Sequence, residues 1–132
     1  MSLAAPRLED FEKTIDAAVR GHAQGIVVAL GGWTLSNRAR ISQLSLSKNL
    51  PVVSMSRLFA ESGALLSYGP DLPAVYKRAA TFVDKILRGT PPGDIPVEQP
   101  TKFELVINLK TAKALRLTIP QSLLVRADQV IQ

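Results

Sequence analysis

The stretch from Ser67 to Gly89 constrains the fold of this chain more than any other segment. It begins as the end of an apolar run, turns at Gly69-Pro70-Asp71 and continues as a helix with Pro73 at its first position, where the missing N–H costs no hydrogen bond. Gly89 suits the left-handed residue that ends many helices. Apolar residues recur at helical spacing between these points: Val75, Ala79, Phe82, Val83 and Ile86. A strand, a tight turn and an amphipathic helix make half of a βαβ unit, which predicts a parallel sheet.

The segments before this stretch alternate between helix and strand. An amphipathic helix is predicted to end at Gly21, and a second one to run from an N-cap at Ser36 to about Lys48, followed by a short helical turn over 57–61. Apolar runs of strand length lie between them, at 25–30, 51–55 and 64–68. This alternation is typical of a doubly wound α/β fold with a mostly parallel sheet.

The segments after Gly89 contain a proline-rich loop over 90–96 and one more predicted strand at 103–109. Thr111 is a plausible cap for a short helix to about Leu115. A last helix is predicted from Pro120, carrying Leu123, Leu124, Ala127 and Val130. We therefore expect residues 1–132 to form a single three-layer α/β domain.

Composition narrows the class of protein. The chain has 132 residues, of which 46% are hydrophobic, so it is long enough to bury a core. Its first 13 residues lack the cationic and apolar pattern of a signal peptide, and no apolar run is long enough to span a membrane. The absence of cysteine excludes disulfides, cysteine zinc sites and thiol nucleophiles.

The charge pattern does not indicate a nucleic-acid partner. Sixteen Lys and Arg residues against 11 Asp and Glu give a net charge of +5, but the basic residues are scattered and only 5% of the residues are aromatic. Enzymatic motifs are also missing: His22 is the single histidine, and neither GxGxxG nor GxxxxGK[ST] occurs. We expect no enzymatic activity, no cofactor and no metal site.

Several phrases of the sequence are similar to one known family. They are RARISQLSLSKNLPVV (38–53), SRLFAESGALLSYG (56–69), SYGPDLPAVYKRAATFVDKILRG (67–89), IPVEQPTKFELVINLKTAKAL (95–115) and LTIPQSLL (117–124). They resemble the C-terminal portion of the ABC-transporter substrate-binding proteins that include tryptophan and tyrosine binders. The resemblance implies a periplasmic binding protein fold of type I, in which two lobes hold a small molecule and deliver it to a membrane permease. It also implies a periplasmic or other extracytoplasmic location.

The sequence departs from the family in its length and at particular positions. At 132 residues it has room for one lobe, so residues 1–69 are expected to form a lobe-like βαβ core. Residues 70–132 are segments that, by the resemblance, pack with the other lobe. Ser54 stands where the family often has an aromatic residue, Ser62-Gly63-Ala64 replaces a small-Gly-Gly turn, and Arg116 replaces a usual glycine.

The candidate ligand-binding residues follow the predicted strands. Because ligands bind outside the carboxyl ends of the strands in open α/β sheets, we expect the site there. Glycines would let backbone N–H groups approach a ligand carboxylate, hydroxyls would fix its polar head, and Arg57 could pair with it bidentately. The same residues also fit plain loop chemistry, with Trp33 partly in the core. The candidates are Gly31, Gly32, Trp33, Ser54, Ser56, Arg57, Ser67 and Tyr68.

Two functional hypotheses remain open. The favoured one is a solute-binding component of an ABC-type importer, or a truncated lobe of one, that binds a small amino-acid-like molecule. The alternative is a structural or interaction remnant that no longer binds solute and associates with itself. We expect a homodimer, because six apolar side chains would otherwise lack cover unless their segments fold back onto their own lobe. These are Phe82, Val83, Ile86, Phe103, Leu105 and Ile107.

Overall fold

The computed structural model describes residues 7–132 and contains a five-stranded sheet with helices between the strands. The strands are β1 (Ile26–Val28), β2 (Val52–Ser54), β3 (Leu66–Pro70), β4 (Phe103–Asn108) and β5 (Gln129–Ile131). The helices are α1 (Leu8–Arg20), α2 (Gly32–Ser36), α3 (Arg38–Ser47), α4 (Arg57–Glu61), α5 (Leu72–Leu87), α6 (Leu109–Ala114) and α7 (Gln121–Leu124), with a 3₁₀ turn at Pro92–Asp94. The chain divides into two compact units, one made of the residues up to Gly69 with Glu104–Gln132 and the other of Pro70–Phe103.

The sheet of the first unit has the order β1-β2-β3-β4-β5. The pairs β1/β2, β2/β3 and β4/β5 are parallel. The Asn108 N–H donates to the Leu65 carbonyl at 2.9 Å, which joins the end of β4 to the start of β3. A mostly parallel α/β fold, expected from the alternating pattern, is therefore confirmed.

The core of the first unit lies where α1, α3 and α4 cover the early strands. Phe11 and Ile15 share the inner face of α1 because they are four residues apart. Ile41 of α3 and Phe59 of α4 are both 0% exposed in the same cluster, together with Val52 of β2. This packing holds β1 and β2 in place and therefore positions the loops that follow them.

The helix after β1 differs from its prediction. Two helices stand in place of one: α2 starts at Gly32, and α3 follows an N-cap at Asn37. Ser36 was predicted as the cap but lies inside α2, where its hydroxyl donates to the Gly32 carbonyl at 2.9 Å. Serine and asparagine are about equally good caps, so local chemistry could not choose between adjacent positions.

The C-terminal elements also differ. Asn108, not Thr111, caps α6: its Oδ1 accepts from the Thr111 N–H at 3.0 Å. The predicted last helix stops at Leu124, and Val130 lies in β5, paired with Ile107 of β4. This short strand depends on a partner strand 23 residues away (Val106↔Gln129), which local helical spacing does not reveal.

Strand β4 carries some of the apolar side chains that are predicted to need cover. It lies between β3 and β5, and Val106 and Ile107 are both 0% exposed. For Ile107, the chain itself supplies the cover by extending its own sheet. Phe103, at the start of the strand, remains 45% exposed.

The second unit, Pro70–Phe103, is built on α5. Asp71 caps the helix by accepting the Ala74 N–H at 3.1 Å, and Gly89 follows its last turn with the predicted positive φ of 97°. Two ion pairs connect the later part of the unit to this helix region, Arg78 with Glu98 at 2.6 Å and Lys102 with Asp71 at 2.9 Å. None of the residues from 70 to 103, all of which are described, is buried.

Candidate functional site

The strand pairing brings the candidate residues to one edge of the sheet. Val28 pairs with Ser54, and Ser54 pairs with Ser67, so the last residues of β1 and β2 stand in register with β3. Because the strands are parallel, the segments that follow them emerge on the same side. We call the predicted set, Gly31, Gly32, Trp33, Ser54, Ser56, Arg57, Ser67 and Tyr68, the strand-end surface.

The first segment of this surface is the start of α2. The Gly31 N–H donates to the Thr34 hydroxyl at 2.9 Å, and that hydroxyl donates to the Ala29 carbonyl at 2.9 Å. Apart from its chain neighbours and the backbone of its own helix, no heavy atom of the described residues lies within 4 Å of the position a Cβ would take on Gly32, so its backbone is accessible. The Trp33 ring lies 5.5 Å from the Phe11 ring yet is 36% exposed. Trp33 therefore anchors α2 to the core with one part and faces solvent with another.

The three serines of the strand-end surface have buried side chains. Ser54, Ser56 and Ser67 are each no more than 2% exposed. The Ser54 hydroxyl approaches the Val28 carbonyl at 3.4 Å, a long contact between neighbouring strands. Among the described residues, no hydrogen-bond partner is found for the hydroxyls of Ser56 and Ser67. Buried hydroxyls without partners are uncommon, so these two are available to an internal water or to a ligand group that reaches them.

Arg57 has protein acceptors around its guanidinium. Its Nε donates to Glu61 at 3.0 Å, one terminal nitrogen lies 3.4 Å from Glu104, and the other donates to Gln129 at 2.6 Å. Glu104 is the least exposed of these partners, with 12% of its side chain exposed. Arg57 thus connects α4 to β4 and β5. No local pattern could identify Glu104 and Gln129 as its partners, because they are 47 and 72 residues away from Arg57 in the chain.

Two further residues of this edge were missed as site residues. A Cβ on Gly69 would lie 1.8 Å from the Met55 carbonyl oxygen, so the end of β3 passes against the backbone that follows β2. Gly69 was predicted only as a turn residue, but it is required by this close approach. Met55 itself is 50% exposed and Tyr68 is 59% exposed. With Trp33, they give the edge an apolar and aromatic character facing solvent.

Two other features were searched for among the described residues: a metal site and a membrane-spanning helix. Between residues 7 and 132, no group of three His, Cys, Asp or Glu side chains is placed to hold a metal ion. No helix in that range is both long enough and apolar enough to cross a membrane.

Comparisons with known proteins agree with this architecture. The family of ABC transporter substrate binding proteins matches residues 1–131. A tyrosine-binding protein from Clostridioides difficile is 30% identical over 95 residues, which are 72% of this chain and 28% of that protein. The chain thus spans well under half the length of this relative.

Solved structures show the same fold. A conserved domain protein from Vibrio cholerae is 26% identical, with a TM-score of 0.89 over 97% of this chain and 43% of its own. An ABC domain from Streptococcus pneumonia, solved in complex with L-Trp, is also 26% identical, with a TM-score of 0.89 over 99% of this chain and 44% of its own. A ligand-free, open substrate-binding protein from Clostridium difficile is 20% identical, with a TM-score of 0.70, and supports the fold alone.

The family match covers nearly the whole chain. It is consistent with the mostly parallel sheet and with the sequence segments that resemble this family. Its members are solute-binding proteins rather than enzymes. This chain belongs to the ABC transporter substrate-binding protein family.

Proposed function

We propose that this chain binds a small amino-acid-like solute at the strand-end surface, as the solute-binding component of an ABC-type importer. The observation that carries the proposal is the parallel register of β1, β2 and β3, which collects three loops at one edge in a member of this family. The names of two relatives, one solved with L-Trp and one a tyrosine-binding protein, favour an aromatic amino acid. In this proposal the chain works outside the cytoplasm and delivers its solute to a membrane permease.

The side chains at the edge suit such a ligand. The exposed parts of Trp33 and Tyr68 offer aromatic faces that can pack against an aromatic solute. The backbone at Gly32 is unobstructed, which leaves room for close approach by a small polar head. Arg57 lies at the same edge, but Glu61, Glu104 and Gln129 already bind its guanidinium, so a solute carboxylate would have to compete with two protein carboxylates for it.

Calorimetric titration of the purified chain with L-tryptophan and L-tyrosine tests this function. Tyr68→Ala should weaken the binding of an aromatic solute by roughly tenfold, because it removes an aromatic contact. Tyr76→Ala is the matched control, since Tyr76 is 74% exposed on α5 and lies outside the strand-end surface. Circular dichroism of both variants would establish that the fold is intact. Absence of binding by the wild-type chain, or equal affinity for both variants, would contradict the proposal.

The second candidate role is self-association, with the chain acting as an interaction module. The observation that favours it is that the unit Pro70–Phe103 contains no buried side chain. Apolar side chains of this unit, such as Val83 (55% exposed) and Leu87 (81% exposed), would contribute stability if a second copy buried them. Sedimentation equilibrium separates the two roles, because solute binding needs no second copy of the chain.

A further inference from the structure

Helix α4 is held on the sheet by polar contacts at both of its ends. Near its last residue, the Asn108 side-chain amide donates to the Ala60 carbonyl at 2.8 Å. At its start, a terminal nitrogen of Arg57 lies 3.4 Å from a carboxylate oxygen of Glu104. Glu104 and Asn108 are four residues apart in β4, so both side chains lie on the same face of the sheet. One face of β4 therefore binds both ends of α4.

The start of α4 depends on such contacts because the helix is short. It has five residues, and helices of this length are unstable in isolation. Its N-cap, Ser56, makes no side-chain capping hydrogen bond within the described part of the chain. Phe59, which is 0% exposed, anchors the middle of the helix in the core. The first turn therefore relies on the contact of Arg57 with β4 in place of a capping side chain.

Glu104 and Gln129 are the partners that connect Arg57 to the sheet. The Gln129 side-chain oxygen accepts from the second terminal nitrogen of Arg57 at 2.6 Å, and β4 and β5 are neighbouring parallel strands. The guanidinium is planar and rigid, so binding to two strands through two of its nitrogens fixes its position and its orientation. Glu61, by contrast, lies four residues later on α4 itself and moves with Arg57.

The contact with Glu104 is the one that water screens least. The Glu104 side chain is 12% exposed, whereas that of Glu61 is 38% exposed. The 3.4 Å distance is longer than the one to Gln129, but the attraction between opposite charges decreases only slowly with distance and is stronger away from water. Replacing Glu104 would therefore remove the most shielded of these three anchors.

We propose that Glu104 is a positioning residue of the strand-end surface: through Arg57 it holds the start of α4, and with it Ser56, at the edge where solute binds. The proposal rests on the solute-binding function proposed above. It assigns Arg57 to fixing this segment rather than to binding the solute carboxylate, because two protein carboxylates and an amide already bind its guanidinium.

The expected effect on affinity follows from the place of Ser56 directly before Arg57. Without its anchor the segment samples further positions, and the solute binds only the competent one. Because apparent affinity falls in proportion to the competent fraction, a fall of that fraction to about one fifth weakens binding about fivefold. Direct binding of the solute by Arg57 predicts the opposite sign, since loss of a competing carboxylate would free the guanidinium and tighten binding.

Calorimetric titration with L-tryptophan and L-tyrosine measures the sign of the effect. Glu104→Ala should weaken binding about fivefold, and Glu104→Gln should keep most of the affinity, because an amide oxygen still accepts from the guanidinium. Arg57→Ala combined with Glu104→Ala should bind no more weakly than Arg57→Ala alone, since Glu104 acts through Arg57. Glu61→Ala is the matched control: it removes a carboxylate from the same guanidinium but leaves the connection to the sheet, and affinity should stay unchanged.

Hydrogen exchange in the solute-free chain measures the position of α4 directly. The Phe59 N–H donates to the Ser56 carbonyl at 3.0 Å, so its protection reports the first turn. This protection should decrease at least about fivefold in Glu104→Ala and remain unchanged in Glu61→Ala. The Ile26 N–H, which donates to the Pro51 carbonyl at 2.8 Å, is the reference for the sheet and should be unaffected in both variants.

The two measurements separate the positioning role from solute binding. Tighter solute binding by Glu104→Ala would overturn the proposal, because Arg57 would then bind the solute itself. Equal protection of the Phe59 N–H in Glu104→Ala and Glu61→Ala, or an equal loss at Ile26, would also overturn it, the latter by showing a general loss of stability. If the wild-type chain binds neither amino acid, the proposed function fails, and a local loss of protection in Glu104→Ala would still support the positioning of this segment.

Discussion

Gly69→Ala should destabilise the first unit by a mechanism visible only in three dimensions. The added Cβ would lie 1.8 Å from the Met55 carbonyl oxygen and 2.7 Å from its carbonyl carbon, and this gap must widen to at least 3.0 Å. Met55 directly follows Ser54, which is held in β2 by its pairing with Ser67 of β3. Because both sides of the contact are backbone, the strands themselves must shift. We expect a loss of about 3 kcal/mol, the upper part of the range for overpacking.

Urea denaturation followed by circular dichroism measures this loss. For a chain of this size, about 3 kcal/mol corresponds to a decrease in melting temperature of about 10 °C. Gly93→Ala is the matched control, since in the described part of the chain no heavy atom beyond its own neighbours lies within 4 Å of its Cβ position and its φ is not positive. The control should change the free energy of unfolding by no more than ~0.5 kcal/mol.

The same variant connects stability to the proposed function. A shift of the backbone at Met55 would also move Ser56 and Arg57, which follow it in the strand-end surface. Solute affinity should therefore decrease even below the melting temperature, whereas Gly93→Ala should leave it unchanged. A Gly69→Ala variant as stable as the control would refute the argument that backbone proximity demands glycine here.

Three further predictions follow from local contacts. Arg116 has a positive φ of 55°, so Arg116→Gly should raise the free energy of unfolding by about 1 kcal/mol in urea; a loss of stability would contradict this. A hydrogen bond from Arg78 lowers the pKa of Glu98 below its ordinary value of 4.5. The ion pair of Glu98 with Arg78 therefore stabilises the fold above pH 4.5, and this stabilisation is lost as the pH falls through the lowered pKa. An NMR titration should show the Glu98 pKa rising towards 4.5 in Arg78→Gln, and an unchanged pKa would disprove the cause. Asn108→Ala breaks two buried hydrogen bonds and should cost about 2 kcal/mol, against a smaller loss for Asn37→Ala, whose side chain makes an exposed hydrogen bond to the Trp33 carbonyl.

Much of the fold could be predicted because the signals were local. The helix α1 and the first four strands lie where apolar periodicity placed them, within a few residues at their ends. The strand β5 could not be predicted, since Val130 continues the helical spacing of Ala127 and only pairing with β4 makes it a strand. The loops of the candidate site could be located from the ends of the predicted strands. Glu104 and Gln129, the residues that bind Arg57, could not be identified from the sequence.

The sequence by itself determined the alternation of helices and strands, the parallel character of the sheet and the end of α5 at Gly89. These follow from hydrophobic periodicity and from the conformations that single residues allow. Only the tertiary structure decided that Arg116 adopts the left-handed conformation without being glycine, and that Gly69 is required by the Met55 backbone. It also decided that β4 lies between β3 and β5 in the sheet. These features arise between segments distant in the chain, and no local pattern records which distant backbone will lie beside a given residue.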